Sequence, residues 1–230
     1  MKRIIFLFTV ALALASTTAI FFFFARPVPR STTTQPIVQP VDLATLRSRA
    51  EAGEPKAQAQ LGELFASGEQ VPQNYAEAAK WYQKAAEQGN SQAQLGLGEL
   101  YEAGQGVPRD VNQALKLYRA AAEQGLPTAQ YTVGFMYEAG RGVAVDHVEA
   151  ARWFRRAAEQ GEPLSQYDLG QRYDLGVGVP VDHVEAYKWL SLAAAQGQPD
   201  AQKRLKDLKS RMSGQELAEG KRRVAATVSK

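Results

Sequence analysis

The sequence predicts an all-α fold, a solenoid of antiparallel helix pairs with capping helices at both ends. Three observations predict it. From Pro55 onward the segments 55–90, 91–126, 127–162 and 163–198 align without a gap, an exact period of 36 residues. Each half of a unit carries an apolar stripe at i, i+3, i+4, the spacing of one helix face. Recurrent glycines separate the halves and close the units at Gly68/Gly89, Gly104/Gly125, Gly140/Gly161 and Gly176/Gly197.

The chain has 230 residues, no cysteine and a net charge of +3. The missing cysteines exclude a disulfide framework, a thiolate nucleophile, a Cys-type zinc site and a lipid-modified cysteine. The charge is unevenly spread. Residues 1–54 carry six Lys/Arg against three Asp/Glu, residues 55–198 twelve against seventeen, and residues 199–230 nine against four. The repeats are thus mildly acidic between basic ends, which argues against a phosphate-tracking groove and against nucleic acid as a partner.

Residues 1–3 are a basic start, and residues 4–25 contain no charge before Arg26. As a helix this run would be about 33 Å long, enough for a bilayer core of about 30 Å. A signal anchor is therefore expected. A cleaved signal peptide with Ala13-Leu14-Ala15 as its site is the alternative, but it would leave Ile20 to Phe24 on a mature N-terminus. Lys2 and Arg3 favour a cytoplasmic start. That places the repeats on the periplasmic side of a bacterial inner membrane, or in the periplasm or medium after cleavage. Residues 26–41, rich in Pro, Thr and Gln, read as a semi-rigid tether.

Residues 42–54 form a lone N-terminal capping helix ended by Gly53. In each unit the first helix starts at Pro or Ser, with glutamine at 58, 94, 130 and 166 and glycine four residues later at 62, 98, 134 and 170. Glycine inside a helix costs about 0.5–1 kcal/mol relative to alanine. Its recurrence predicts a helix–helix crossing too close for a Cβ. The spacing predicts that the second helices open on capping boxes, Asn74…Glu77, Asp110…Gln113, Asp146…Glu149 and Asp182…Glu185. They bury Trp81/Tyr82, Leu117/Tyr118, Trp153/Phe154 and Trp189/Leu190 together with alanines. Residues 199–230 restart a first helix with Lys206 in place of the glycine. They end in a basic helix opened by Ser213…Glu216, which suits the polar outer face a terminal unit needs.

The recurring pattern Ala-x-x-x-Leu-Gly-x-x-Tyr-x-x-Gly-x-Gly-Val-x-x-Asp-x-x-x-Ala-x-x-Trp-x-x-x-Ala-Ala-x-x-Gly resembles the Sel1-like repeat, a relative of the tetratricopeptide repeat. Repeat three follows it most closely, and Gln70, Leu117 and Arg172 depart from it. The resemblance implies a right-handed superhelix, a role in protein–protein contact, and first helices that line the concave face. Cysteine-rich members of the family have been linked to β-lactam binding, but this chain has none of their cysteines.

Nothing in the sequence points to catalysis, a metal or a cofactor. His147 and His183 occupy one repeat position, and the Gly-x-Gly turns follow no strand. The expected function is a non-enzymatic scaffold that binds a protein or peptide of unknown identity, most simply as a monomer. A self-associating scaffold is the alternative, and a hydrolase with an unrecognised site a remoter one. The candidate partner-binding residues lie on the first helices of repeats three and four, off the core stripe. They are Tyr131, Phe135, Glu138, Tyr167, Gln171 and Asp174. Phe135 stands out because its equivalents are Glu63, Glu99 and Gln171. Tyr131 and Tyr167 have a second reading, as packing between units.

Overall fold

A computed structural model describes residues 42–229, and the expected basic start, membrane run and tether lie outside the described residues. Among the described residues there are eleven helices and no strand. Helix α1 (Leu43–Glu51) caps the array. The repeats follow as α2 (Pro55–Ser67) and α3 (Tyr75–Glu87), α4 (Ser91–Ala103) and α5 (Val111–Glu123), α6 (Pro127–Ala139) and α7 (His147–Glu159), α8 (Pro163–Leu175) and α9 (His183–Ala195). Helices α10 (Pro199–Arg211) and α11 (Gly214–Val228) close the array. All eight repeat helices are 13 residues long. Each helix packs on the next in sequence up to α10, whereas α11 returns to pack on α9.

The repeated glycines work as the sequence predicts. A Cβ built on Gly62 or Gly98 would come within 2.6 Å of the Tyr82 or Tyr118 ring, and one on Gly134 within 2.9 Å of Phe154. On Gly170 it would meet Leu190 at 2.7 Å. The large residue of each second helix therefore lies flat on the bare backbone of the first. Its buried area more than offsets the propensity cost of the glycine.

The capping expectation needs correction. Asn74, Asp110, Asp146 and Asp182 do accept from backbone amides one turn ahead. Among the described residues, however, the reciprocal box is closed only at Ser213–Glu216. The other N3 carboxylates have stronger partners. Glu77 pairs with Lys80 and Glu149 with Arg152, while Glu185 takes the Trp189 indole N–H at 3.0 Å and the Arg223 guanidinium at 2.6 Å. Charged donors outbid a neutral backbone amide.

The buried glutamines join successive units. Gln58, Gln94, Gln130 and Gln166 donate to the carbonyls of Ala50, Ala86, Ala122 and Ala158 at the end of the preceding second helix. Their own side-chain oxygens accept from Gln88, Gln124, Gln160 and Gln196 at 2.7–2.9 Å. Each rung thus ties three helices and leaves no glutamine amide buried unpaired.

The turns register one unit against the next. A Cβ on Gly106 would overlap the Tyr75 backbone, and one on Gly178 the His147 carbonyl oxygen. Repeat one has Gln70 at this place, at φ 65°. Among the described residues its side chain is exposed and so has room, although its left-handed backbone is strained.

Candidate functional site

Three of the six candidate residues, Tyr131, Glu138 and Gln171, lie at the joint between α6 and α8, and Phe135 lies on α6. Tyr131 is half-buried, its ring centroid 5.5 Å from that of Phe154 at 48°. Its hydroxyl is hydrogen-bonded to Asp168, and burial, followed by the Asp168 charge, pushes its pKa up. Asp168 is itself pushed up to about 7, by burial first and then by the Glu138 carboxylate, against the opposing pull of Arg172 and Tyr131. Glu138 pairs with Arg172 at 2.6 Å. Arg172 is only 4% exposed and lies 4.8 Å over the Phe154 ring, with its Nε buried and lacking a hydrogen-bond partner among the described residues. Gln171 completes a cavity of about 100 Å³ that it shares with Glu138, Asp168, Arg172, Leu175 and Val177. Leu175 is 57% exposed. Phe135 is half-buried on the same helix as Tyr131 and Glu138.

The other two candidates are placed differently. Tyr167 is half-buried against the repeat-four core, which is the packing reading. Asp174 was expected on the open face, and this is corrected: its side chain is 1% exposed. Arg211 of α10 donates to both its oxygens at 2.8 and 2.9 Å, Arg204 lies at 3.7 Å and His183 at 4.0 Å. Buried carboxylates persist where cations meet them, and here the C-terminal cap supplies those cations. No spacing within a repeat signals a partner 37 residues away. Arg172, by contrast, announces itself as the one charged residue at a position that is apolar in the other units.

Repeats one and two present a more acidic surface. Glu99 is pushed up to about 7 by burial, then by Glu102 and Glu63. Glu102 accepts from the Tyr118 hydroxyl at 2.9 Å and pairs with Arg141 at 2.8 Å, so it is already engaged.

The Sel1 repeat family model matches residues 55–90, 91–126, 127–162 and 163–198, the same four units. The chain belongs to the Sel1 repeat family. Among solved structures, this Sel1 repeat chain is similar to a protective antigen present in uropathogenic Escherichia coli strains, which displays an SLR fold. The two are 40% identical with a TM-score of 0.72 over 81% of this chain and 41% of the antigen. A Sel1 repeat protein from Oxalobacter formigenes is 38% identical with a TM-score of 0.66, over 71% of this chain and 68% of that one. The chain thus spans about two fifths of the length of the E. coli antigen. No curated protein matches. Sel1 repeat proteins generally mediate protein–protein interaction, on a fold that is typically a non-catalytic scaffold.

Proposed function

We propose that this chain is a non-enzymatic adaptor that takes a protein or peptide on the first-helix surface of repeats three and four. The observation that carries the reading is the cavity between α6 and α8. It is bordered by the exposed Leu175, floored by the buried Arg172 and lined by Glu138, Asp168 and Gln171. Exposed apolar surface at Leu175, rimmed by the polar and charged groups of Glu138, Asp168 and Gln171, follows the apolar-centre, polar-rim layout of a protein-binding surface. Phe135, on α6, adds apolar surface where the other units are polar.

The uncharged run at 4–25 supports a signal anchor that holds the repeats outside a bacterial inner membrane, with export after cleavage as the second route. Among the described residues no helix is long and apolar enough to cross a membrane. The test is a photo-crosslinking residue introduced at Gln171 and, as a control, at Lys116 on the second helix of repeat two. A partner band at 171 and not at 116, lost on adding Phe135→Glu, is the expected result. Equal labelling at both positions refutes the surface. Protease accessibility in intact cells and the N-terminal sequence of the purified chain decide tether and cleavage together.

A further inference from the structure

A larger concavity than the one between α6 and α8 lies elsewhere, on the second helix of repeat three. It measures about 410 Å³ and is lined by Val148, Ala151, Arg152, Arg155, Arg156, Glu159, Gly178 and Val179. One wall is a stripe of α7 and the other is the turn before α9. Gly178 brings that turn onto the His147 carbonyl so closely that no side chain fits between them.

The three arginines are held in different ways. Arg152 pairs with Glu149. Arg155 lies 5.6 Å over the Tyr173 ring and donates to its hydroxyl, and Arg156 lies 4.6 Å over the Trp153 ring. Among the described residues neither Arg155 nor Arg156 has a carboxylate partner, and both are exposed. A guanidinium stacked on an aromatic face is restrained while its N–H edge stays open, which lowers the entropy lost on binding an anion. Val148, 50% exposed, gives the groove an apolar element beside the cations. The arrangement is peculiar to this unit: the equivalents of Arg155 and Arg156 are Gln83/Lys84, Arg119/Ala120 and Ser191/Leu192.

We infer that this groove is a second binding site, separate from the first-helix surface, that accepts an extended acidic peptide segment with apolar residues between its carboxylates. The carboxylates take the forks of Arg155 and Arg156, and an apolar side chain lies against Val148 and Val179. Charge complementarity selects the occupant. The lining holds three arginines against the single carboxylate of Glu159, so a basic or neutral segment gains nothing there. The site does not depend on the adaptor reading, because Phe135→Glu leaves it untouched.

The probe is a fluorescein-labelled peptide of five Glu-Val repeats, titrated into the full chain and read by anisotropy, with five Lys-Val repeats as its counterpart. The acidic peptide is expected to bind and the basic one not. Arg155→Gln/Arg156→Gln should weaken binding about tenfold or more. Lys80→Gln/Lys116→Gln, which removes the same charge from the other second helices, should change it less than about twofold. Because the arginines also pack on Tyr173 and Trp153, a second reading uses the unaltered chain: bound peptide should shield Arg155 and Arg156, and not the distant Arg47, from phenylglyoxal. Equal losses in the two double variants, absence of shielding, or no binding of the acidic peptide would overturn the site. So would a chain that ignores the peptide and binds phosphatidylglycerol vesicles, which would assign the arginines to a lipid surface.

Discussion

Asp168 couples the chemistry of the first-helix surface to stability. Its carboxyl is pushed up to about 7 from an ordinary 3.8, by burial first and by Glu138 second, with Glu162 adding to the rise. Between those two values the unfolded chain has released a proton that the folded chain keeps. The stability this group contributes is therefore complete below about pH 4. It is lost as pH rises toward 7 and changes little above that. Asp168→Asn fixes the neutral form while still accepting from the Tyr131 hydroxyl. At pH 7.5 the variant should be the more stable protein, by about 1 kcal/mol once screening at a half-exposed site is allowed for. At pH 4 the two should melt together. A gap of equal size at both pH values would remove Asp168 as the cause. Carboxylates away from this joint are common to both proteins, so the comparison reports on Asp168 and the charges it faces.

At the scale of elements, each second helix is joined to the next first helix by a glutamine rung and, later in the array, by an arginine–tyrosine contact. Arg119 donates to the Tyr137 hydroxyl as Arg155 does to that of Tyr173. Gln130 is the informative rung, buried between the Ala122 carbonyl at 3.1 Å and the Gln160 amide at 2.8 Å. Gln130→Leu should cost about 1–3 kcal/mol in denaturant unfolding, because it strips a partner from a buried carbonyl. Gln160→Ala should cost less, since water reaches that end of the rung. The double variant should fall short of the sum, and strict additivity would show that the rung carries no coupling. The elements themselves were legible in the sequence, because the period, the glycines and the aromatic stripe all sample one local geometry four times. The pairing of Gln130 with Gln160 was not, since it crosses 30 residues between two polar side chains. The burial of Asp174 and the arginine groove of α7 escaped for related reasons. One depends on a helix from the cap, and the other is a solvent-facing charged stripe whose aromatic supports, Tyr173 and Trp153, mark core packing when read along the chain.

The whole described body behaves as a line of neighbours, so its stability should be graded along its length rather than shared equally. The C-terminal end is the test. Helix α11 skips α10 and lies on α9, where Gly220 lets the Tyr187 ring approach its backbone as Gly62 does for Tyr82. Leu217 and Val224 pack on the repeat-four core, and Arg223 reaches Glu185 at 2.6 Å. The buried carboxylate of Asp174 is served from α10, by Arg204 and Arg211, and not from α11. Ending the chain after Met212 should therefore uncover Tyr187 and free Arg223's partner while leaving Asp174 neutralised. Repeat four should lose roughly 2–4 kcal/mol, the scale of two partly buried aliphatic side chains and one covered aromatic. Hydrogen exchange should then show faster opening of α9 and α8, a smaller change in α6 and α7, and none in α2 and α3. If protection falls by the same factor in all four repeats, the array unfolds as one cooperative unit and the nearest-neighbour account fails. If α9 keeps its protection, the contact between Gly220 and Tyr187 contributes nothing, and the basic helix is no cap.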